Sequence, residues 1–413
     1  MTVAADGIMT TKYADLGTDP VPTDMYWRPE WYEKEIEAIF RRTWLHIASA
    51  HEIPNVGDFV VKDVPPLRHK VIVVRGKDEK IRVFQNVCTH RGSDVELSDK
   101  GNCKHFTCPF HAWSFSTEGK LIGVPSVKNF FDLERKNKGL IPVTSDVWEH
   151  HVFVNFAAQP IETLEDYLGE FGRDLRGWPG WEQCSVSWEY QAEVDINWKL
   201  LLDAFNETYH VPIIHRNSVR SAFSPPGHLN GEILGATWKY PHRCYSGPGN
   251  PGFKPKPGQL LGYANAPAKT LLSGGSASDE DKLPKGLNEG RHTGWAFDQS
   301  TFFPNWALVV TPQVYFSHKI WPISPNKSRW DVRMYSTQAT TAAERFGQEY
   351  GNVELRDTLL EDANTFERIQ RSLESGLVPE FTFQDHEICC RIQYNTVKAW
   401  VEDWEKSQLA AVS

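Results

Sequence analysis

Cys88-Thr89-His90-Arg91-Gly92 and Cys108-Pro109-Phe110-His111, with 17 residues between His90 and Cys108, carry the most informative pattern in this 413-residue chain. Two Cys–His pairs on short loops are a metal-ligand set on chemistry alone. A structural zinc would accept two thiolates and two imidazoles. Zinc fingers usually keep the Cys pair apart from the His pair, whereas each loop here supplies one of each. Each loop also follows a strand-like run, as expected for two hairpin tips gripping one cluster.

That alternation is what a Rieske [2Fe-2S] centre requires, with one iron held by two thiolates and the other by two imidazoles. Neutral imidazoles in place of anionic thiolates let the cluster accept an electron at higher potential than an all-cysteine ferredoxin. Working outward, the runs DFVV, HKVIVVRG, IRVFQNV and HVFVNF between Gly57 and about Phe156 read as strands of a small all-β domain. Before them, residues 26–47 read as a helix with Trp31, Ile36, Ile39, Phe40 and Trp44 on its apolar face. Cys103, between the loops, reads as an ordinary free thiol.

A second region begins near Leu164. It offers a helix over 195–210, a Pro/Gly/Ser-rich stretch over 241–293, strands over 306–321 and 329–338, and a helix over 352–374. The 241–293 stretch is too long for a plain connection and reads as a covering loop. Its GxGxxG at Gly247, Gly249 and Gly252 lacks a strand-to-helix frame, so a dinucleotide site is set aside.

In the 195–210 helix, Trp198, Leu201, Leu202, Phe205 and Tyr209 form an apolar stripe, with Asp203, Glu207 and His210 opposite. On this helix alone, a solvated polar face is the preferred reading of that arrangement. Pro212 breaks the helix and lets His215 return toward His210. The later helix is more telling. Leu355, Leu359, Phe366, Ile369 and Leu373 make an apolar stripe with Asp362 at its centre, while Glu354, Asp357, Glu361, Glu367 and Arg368 point elsewhere. A carboxylate in a core-facing stripe needs a cationic partner or a metal. With two histidines unassigned, His210, His215 and Asp362 make a 2-His-1-carboxylate set that leaves iron positions open.

Composition narrows the classes. The net charge of −9 gives no support for nucleic-acid binding. No run of about 18 apolar residues is present to span a membrane, and the N-terminus lacks a basic and apolar leader. Seven cysteines, an odd number spread thinly, suit thiols or metal ligands in a reducing cytoplasm. The 16 tryptophans suit buried core or aromatic pockets.

CTHRG and CPFHAW resemble the Rieske domains of aromatic-ring-hydroxylating oxygenases. Rieske proteins of cytochrome bc complexes add a disulfide between the loops; Ser93 and Phe110 stand at those positions here. NWKLLLDAFNETYHVPIIH and EDANTFERIQ resemble the family's NWK…YHxxxxH segment and its late ED…Q helix. With TWLHIASAHEIPNVGDFVV and the FFPN strand start at Phe302–Asn305, the likeness covers nearly the whole chain. It implies an α+β fold in which an all-β Rieske domain is inserted near the N-terminus of a helix-grip (SRPBCC/Bet v 1-like) catalytic domain. The expected boundaries are 1–46 for an N-terminal helical segment packing on the catalytic domain, 47–160 for the Rieske domain and 161–413 for the catalytic domain.

The resemblance further implies a cluster on Cys88, His90, Cys108 and His111, and a mononuclear Fe(II) on His210, His215 and Asp362. Dioxygen is the co-substrate. Glu207, three residues before His210, would bridge to cluster residue His111 of a neighbouring subunit, which implies a homotrimer, with or without a small β subunit. Asp203 joins Glu207 as a catalytic candidate, standing where many ring dioxygenases have the Asn of an acid-Asn pair. A separate NAD(P)H-dependent reductase, with or without a ferredoxin, would supply electrons, docking near Arg91, Lys100, Lys104 and Lys120. Phe205, Phe302, Phe303, Trp306 and Phe366 are the expected pocket for a small organic substrate. The expected reaction is hydroxylation or dihydroxylation of an apolar, aromatic compound. Oxidation of a quaternary ammonium or N-methyl compound is the first alternative, and a non-enzymatic Rieske electron carrier is the second.

Overall fold

The computed structural model describes residues 8–225, 230–266, 283–312 and 314–412. Its contacts divide the chain into two compact units, Phe40–Tyr167 and a second unit that joins Met1–Ile39 to Leu168–Ser413.

The first unit is all-β around the cluster loops. Seven antiparallel strands run in the order Leu45–Ser49, His151–Asn155, Pro142–Trp148, Ile81–Gln85, His69–Arg75, Asp58–Val64, Lys100–Asn102. A three-stranded sheet, His105–Thr107, Ser114–Ser116 and Leu121–Gly123, carries the second loop. Phe59, Ile72, Val74, Phe84, Phe106 and Phe115 pack together with Cys88 and Cys108 in one apolar cluster, so the sulfurs sit on the core side of their loops.

The second unit is built on a seven-stranded antiparallel sheet. Its order is Ser185–Val194, Lys327–Ser336, Tyr315–Ser324, Trp306–Val310, Trp295–Phe302, His242–Pro248, Gly235–Lys239. The sheet curls against a 33-residue helix, Ala342–Glu374. Thr341 caps that helix by accepting from the Glu344 N–H, and Glu344 answers in a capping box. Gly347 and Gly262 let the helix Pro257–Asn265 approach closely. A Cβ on Gly347 would meet the backbone of Ala266 at 2.4 Å, and one on Gly262 would meet the Tyr350 ring at 2.4 Å.

Several sequence expectations change. Residues 26–47 are not one helix: Pro29–Glu35 is helical, Ile36–Phe40 widens into a π-turn, and Leu45–Ser49 is a fully buried strand. A continuous apolar run does not distinguish a core strand from a buried helix. The 195–210 helix ends at Asp203, where Asn206 donates to Asp203 Oδ1 at 3.0 Å and the chain turns away. Tyr209 is consequently 52% exposed instead of lying on an apolar stripe. Pro212 does not break a helix; it sits in the first turn of a new one, Val211–Ile214, where its missing N–H is harmless. Within 241–293 lie the strand His242–Pro248 and the helix Pro257–Asn265, while residues 267–282 lie outside the described residues. FFPN is the turn between Trp295–Phe302 and Trp306–Val310, not a strand start.

The NWK and ED…Q segments meet physically. Asn197 N–H donates to Gln370 Oε1 at 2.9 Å, and Asn197 Oδ1 caps the Lys199 N–H. The Trp198 indole and the Lys199 ammonium both donate to Glu35, at 2.7–2.8 Å. The Lys199–Glu35 side chains are fully buried. The first motif therefore anchors the segment that leads to His210 and His215, and the second the helix that carries Asp362.

Candidate metal centres and substrate cavity

The two cluster loops close in the same way. Cys88 N–H donates to Ser93 O at 2.8 Å and Gly92 N–H to Cys88 O at 2.9 Å; Cys108 N–H donates to Trp113 O at 2.8 Å and Ala112 N–H to Cys108 O at 2.9 Å. The fifth residue of each turn is left-handed, Gly92 at φ 81° and Ala112 at φ 56°. Glycine takes that conformation freely, whereas alanine is held there by its loop. Cys88 and Cys108 are buried, and the His90 and His111 rings lie 4.7 Å apart, with His90 stacked on Trp113. Burial pushes the Cys88 thiol up and Cys108 adds to it, while the backbone N–H groups of His90 and Arg91 oppose the rise. Those N–H groups favour a sulfur carrying negative charge, as cluster thiolates do.

Among the described residues, no three of these four ligands bring their atoms within 4.8 Å of one another, unlike His210, His215 and Asp362. A single zinc would demand that convergence. A wider two-iron cluster does not, so the four residues fit a [2Fe-2S] group. All seven cysteines are free, and Cys103 is half-buried. Arg91, Lys100, Lys104 and Lys120 are exposed, with Arg91 over the Phe110 ring at 5.2 Å.

The second centre is assembled from both ends of a one-turn helix and the middle of the long one. His210 and His215 flank Val211–Ile214, and Asp362 projects from Ala342–Glu374. Asp362 Oδ1 lies 3.0 Å from His215 Nε2 and 3.5 Å from His210 Nε2. Each imidazole is oriented from behind. His210 Nδ1–H donates to Glu207 Oε1 at 2.5 Å, and Glu207 Oε2 accepts from the His210 backbone N–H at 3.1 Å. His215 Nδ1–H donates to Glu361 Oε2 at 2.8 Å, which also accepts from Ser218 Oγ–H at 2.5 Å. With both Nδ1 atoms engaged, both Nε2 lone pairs face Asp362, the arrangement that metal-binding histidines use. Burial opposes charge on His210, yet Glu207 and Asp362 outweigh it and lift its pKa to about 9. The same negative field suits a divalent cation.

Glu361 is the functional residue that the sequence reading missed. It falls beside the apolar stripe, and only the three-dimensional path of His215 turns it inward.

His210, His215 and Asp362 open on a cavity of about 130 Å³. The curled sheet supplies Phe297, Gln299, Val309, Phe316, His318 and Met334; the long helix supplies Glu354, Leu355, Thr358, Leu359 and Asp362. Of the five expected pocket residues only Phe205 lines it. Strand alternation explains two of the misses: Phe297 and Val309 face the cavity, so Phe302 and Trp306, of opposite parity on their strands, face away. Phe302 packs on Phe171 at 5.1 Å and Trp306 on Phe302 at 5.0 Å. Phe303 stacks near Trp400 at 6.3 Å, and Phe366, one turn beyond Asp362, packs on Trp330 at 5.9 Å.

Asp203 lies off the cavity lining, in a buried polar network. Its Oδ1 accepts from Asn206 at 3.0 Å and Gln393 at 2.7 Å, and Arg243 donates to both of those partners. Burial pushes Asp203 up to about 7, against the Asn206 hydrogen bond and the Arg243 charge.

The family described as "Ring hydroxylating alpha subunit (catalytic domain)" matches residues 182–403, more than half of the chain. The chain belongs to the ring-hydroxylating alpha-subunit family. A Rieske [2Fe-2S] domain matches residues 43–145. The carnitine monooxygenase oxygenase subunit of Acinetobacter pittii is 30% identical over 201 residues, covering 47% of this chain and 52% of the relative. The matches to the first curated relatives thus span about half of their length. The alpha subunit of 2-aminobenzenesulfonate 2,3-dioxygenase from Alcaligenes sp is 28% identical over 372 residues, covering 87% and 86%. In fold, naphthalene 1,2-dioxygenase from Rhodococcus sp. superposes with a TM-score of 0.75 at 22% identity, covering 95% and 97%. Among the described residues no helix is long and apolar enough to cross a membrane.

Proposed function

We propose that this protein is the terminal oxygenase of a multicomponent system. A separate NAD(P)H-dependent reductase, with or without a ferredoxin, feeds it electrons for O2-dependent hydroxylation or dihydroxylation of an apolar, aromatic substrate. For insertion of one oxygen atom the balance is R–H + O2 + 2 e⁻ + 2 H⁺ giving R–OH + H2O. The observation that carries this reading is the triad His210, His215 and Asp362, which faces a largely apolar cavity in a chain that also holds the cluster loops. When bound, the iron at the triad supplies open positions for dioxygen reduction, and the cluster supplies the electrons.

The chain's own residues set the conditions. Phe205, Phe297, Phe316 and Leu359 wall the cavity with apolar surface and exclude water from the substrate. Glu207 holds the His210 Nδ1 proton and fixes the ring. In a neighbouring copy His111 would meet the same carboxylate, as the family resemblance implies; its Nδ1 is buried and without a hydrogen-bond partner among the described residues, as suits the nitrogen turned to the cluster, so the bridge would use Nε2. The bridge needs a second copy of the chain, and the family resemblance implies that the assembly is a homotrimer, with or without a small β subunit. Oxidation of an N-methyl or quaternary ammonium compound is the second reading, supported by the likeness to carnitine monooxygenase and by glutamate at position 207.

The test is oxygen uptake and product formation by iron-loaded protein with a surrogate reductase. The expected result is substrate-dependent uptake with stoichiometric product. Glu207→Gln should retain both metals yet lose turnover about ten- to hundred-fold. Uptake without product from every compound of both classes would overturn the oxygenase reading, and near-normal turnover in the variant would remove Glu207 from the path.

A further inference from the structure

The chain has 16 tryptophans, and among the described residues none of them lines the cavity. Trp330 stands directly behind its wall. The indole is fully buried against Phe205 at 5.6 Å and His318 at 5.7 Å, both of which line the cavity. Phe366, one turn beyond Asp362 on the long helix, meets the same indole at 5.9 Å. Trp330 Nε1–H donates to His318 Nδ1 at 3.0 Å. Burial holds that imidazole neutral by pushing its pKa down to about 3, so Nδ1 keeps a lone pair for the indole. An acceptor on the N–H eases removal of an electron from the ring, because the hydrogen bond takes up part of the positive charge left behind.

Phenylalanine and imidazole rings are hard to oxidise by one electron, whereas tyrosine and tryptophan are not. Beyond Phe205, His318 and Phe366, Trp330 meets a ring of the second kind in Tyr190, edge-on at 6.1 Å. Tyr190 in turn stacks with Trp188, 6.1 Å away with the planes 4° apart. Strand geometry sets this order. Ser185–Val194 is the edge strand of the curled sheet, and Trp188 and Tyr190 lie two residues apart on one face of it. Ala192 pairs with Trp330 across the ladder, which puts the Trp330 indole on that same face. Trp330 is fully buried, while Tyr190 and Trp188 are each half-buried, so the row runs from the cavity wall toward solvent.

We propose that Trp330, Tyr190 and Trp188 form an electron relay that discharges oxidising equivalents from the triad when no substrate takes them, giving the protein a second activity as a thiol-dependent peroxide reductase. The relay rests on the reading above that the triad holds iron. With peroxide reduced there and a small thiol outside, each passage moves one electron from Trp188 through Tyr190 and Trp330 to the triad. The Trp330 Nε1 proton stays within its hydrogen bond to His318, and Trp188 releases its own indole proton to water. A thiol then returns an electron and a proton to Trp188, and two thiyl radicals join as a disulfide. Two passages balance as H2O2 + 2 RSH giving 2 H2O + RSSR.

Peptide mapping by mass spectrometry, on iron-loaded protein exposed to hydrogen peroxide without substrate or thiol, tests it. Trp188 should carry an oxidised indole several-fold more often than Trp27, which is also half-buried but lies outside the row. Glutathione should suppress that mark while peroxide is consumed. In Trp330→Phe, and in Tyr190→Phe, which keeps the ring, Trp188 should fall to the level of Trp27 and glutathione-dependent peroxide consumption should drop several-fold. Met334, which lines the cavity, should then gain sulfoxide in place of Trp188. Equal marking of Trp188 and Trp27 in the wild type would overturn the proposal, as would an undiminished Trp188 mark in Tyr190→Phe or in Asp362→Ala. The Tyr190→Phe result decides even if Trp330→Phe does not fold. Oxygenated product from a protein whose Trp188 stays unmarked would overturn this inference alone. A marked Trp188 with no product from any compound would overturn the oxygenase reading alone.

Discussion

Glu361→Ala should weaken iron binding at a residue that touches no metal. Glu361 Oε2 is the acceptor for His215 Nδ1–H at 2.8 Å, and the His215 side chain is only 4% exposed. Truncation leaves a buried N–H unpaired, a loss of about 1–3 kcal/mol. It also frees the ring to rotate or to take the other tautomer, which turns Nε2 away from Asp362. Ser218 loses its acceptor at the same time, but it can turn toward the His215 carbonyl, 3.4 Å away. The combined expectation is about a ten- to hundred-fold rise in the Fe(II) dissociation constant. Glu361→Gln keeps an oxygen that can accept from Nδ1 and should fall between the wild type and alanine. Competition with a chromogenic chelator, on protein whose cluster spectrum is intact, measures the three constants. Equal iron affinity in Glu361→Ala and the wild type would refute the reasoning that the outer carboxylate sets the imidazole.

Three further outcomes follow from the packing. Lys199→Met removes the cation from a fully buried pair and strands the Glu35 carboxylate, so urea unfolding should show about 3–5 kcal/mol of lost stability; a change below about 1 kcal/mol would contradict the pairing. Burial holds Asp203 at about 7, above the ~3.9 of an unfolded aspartate. A carboxyl raised on folding contributes stability that is complete below pH ~4 and lost as pH rises through ~7. Wild-type stability relative to Asp203→Asn should therefore fall by up to about 4 kcal/mol across that window, and a pH-independent difference would contradict the shift. Phe302→Ala should lose about 3–5 kcal/mol of stability with unchanged substrate preference, whereas Phe297→Ala should change the preference by enlarging the cavity; the opposite pattern in unfolding and competition assays would reverse the assignment of faces.

Where chemistry and sequence spacing coincide, the chain is legible. The cluster pattern is a short-range signal, because each loop closes within six residues by its own backbone hydrogen bonds. Asp362 was readable as a polar residue inside an apolar stripe, since a helix repeats on itself. Glu361 and the cavity walls were not, because they depend on which way His215 returns and on strand parity that no single segment reveals. The start of the long helix was available in Thr341-Ala342-Ala343-Glu344, a capping box, but Gly347 and Gly351 interrupt the periodicity that follows. The strand His242–Pro248 was hidden because its buried positions include His242, Arg243 and Ser246, whose polarity is satisfied only by distant partners: Phe303 N–H, Asn206 with Gln393, and Asp298.

Iron and acid-labile sulfide per chain, measured on anaerobically purified protein, test the central claim most directly. The account predicts about three irons and two sulfides, with Asp362→Ala reduced to about two irons while the visible cluster spectrum is retained. Two irons with two sulfides in the wild type, unchanged after ferrous iron is added, would leave a Rieske electron carrier and contradict the catalytic site.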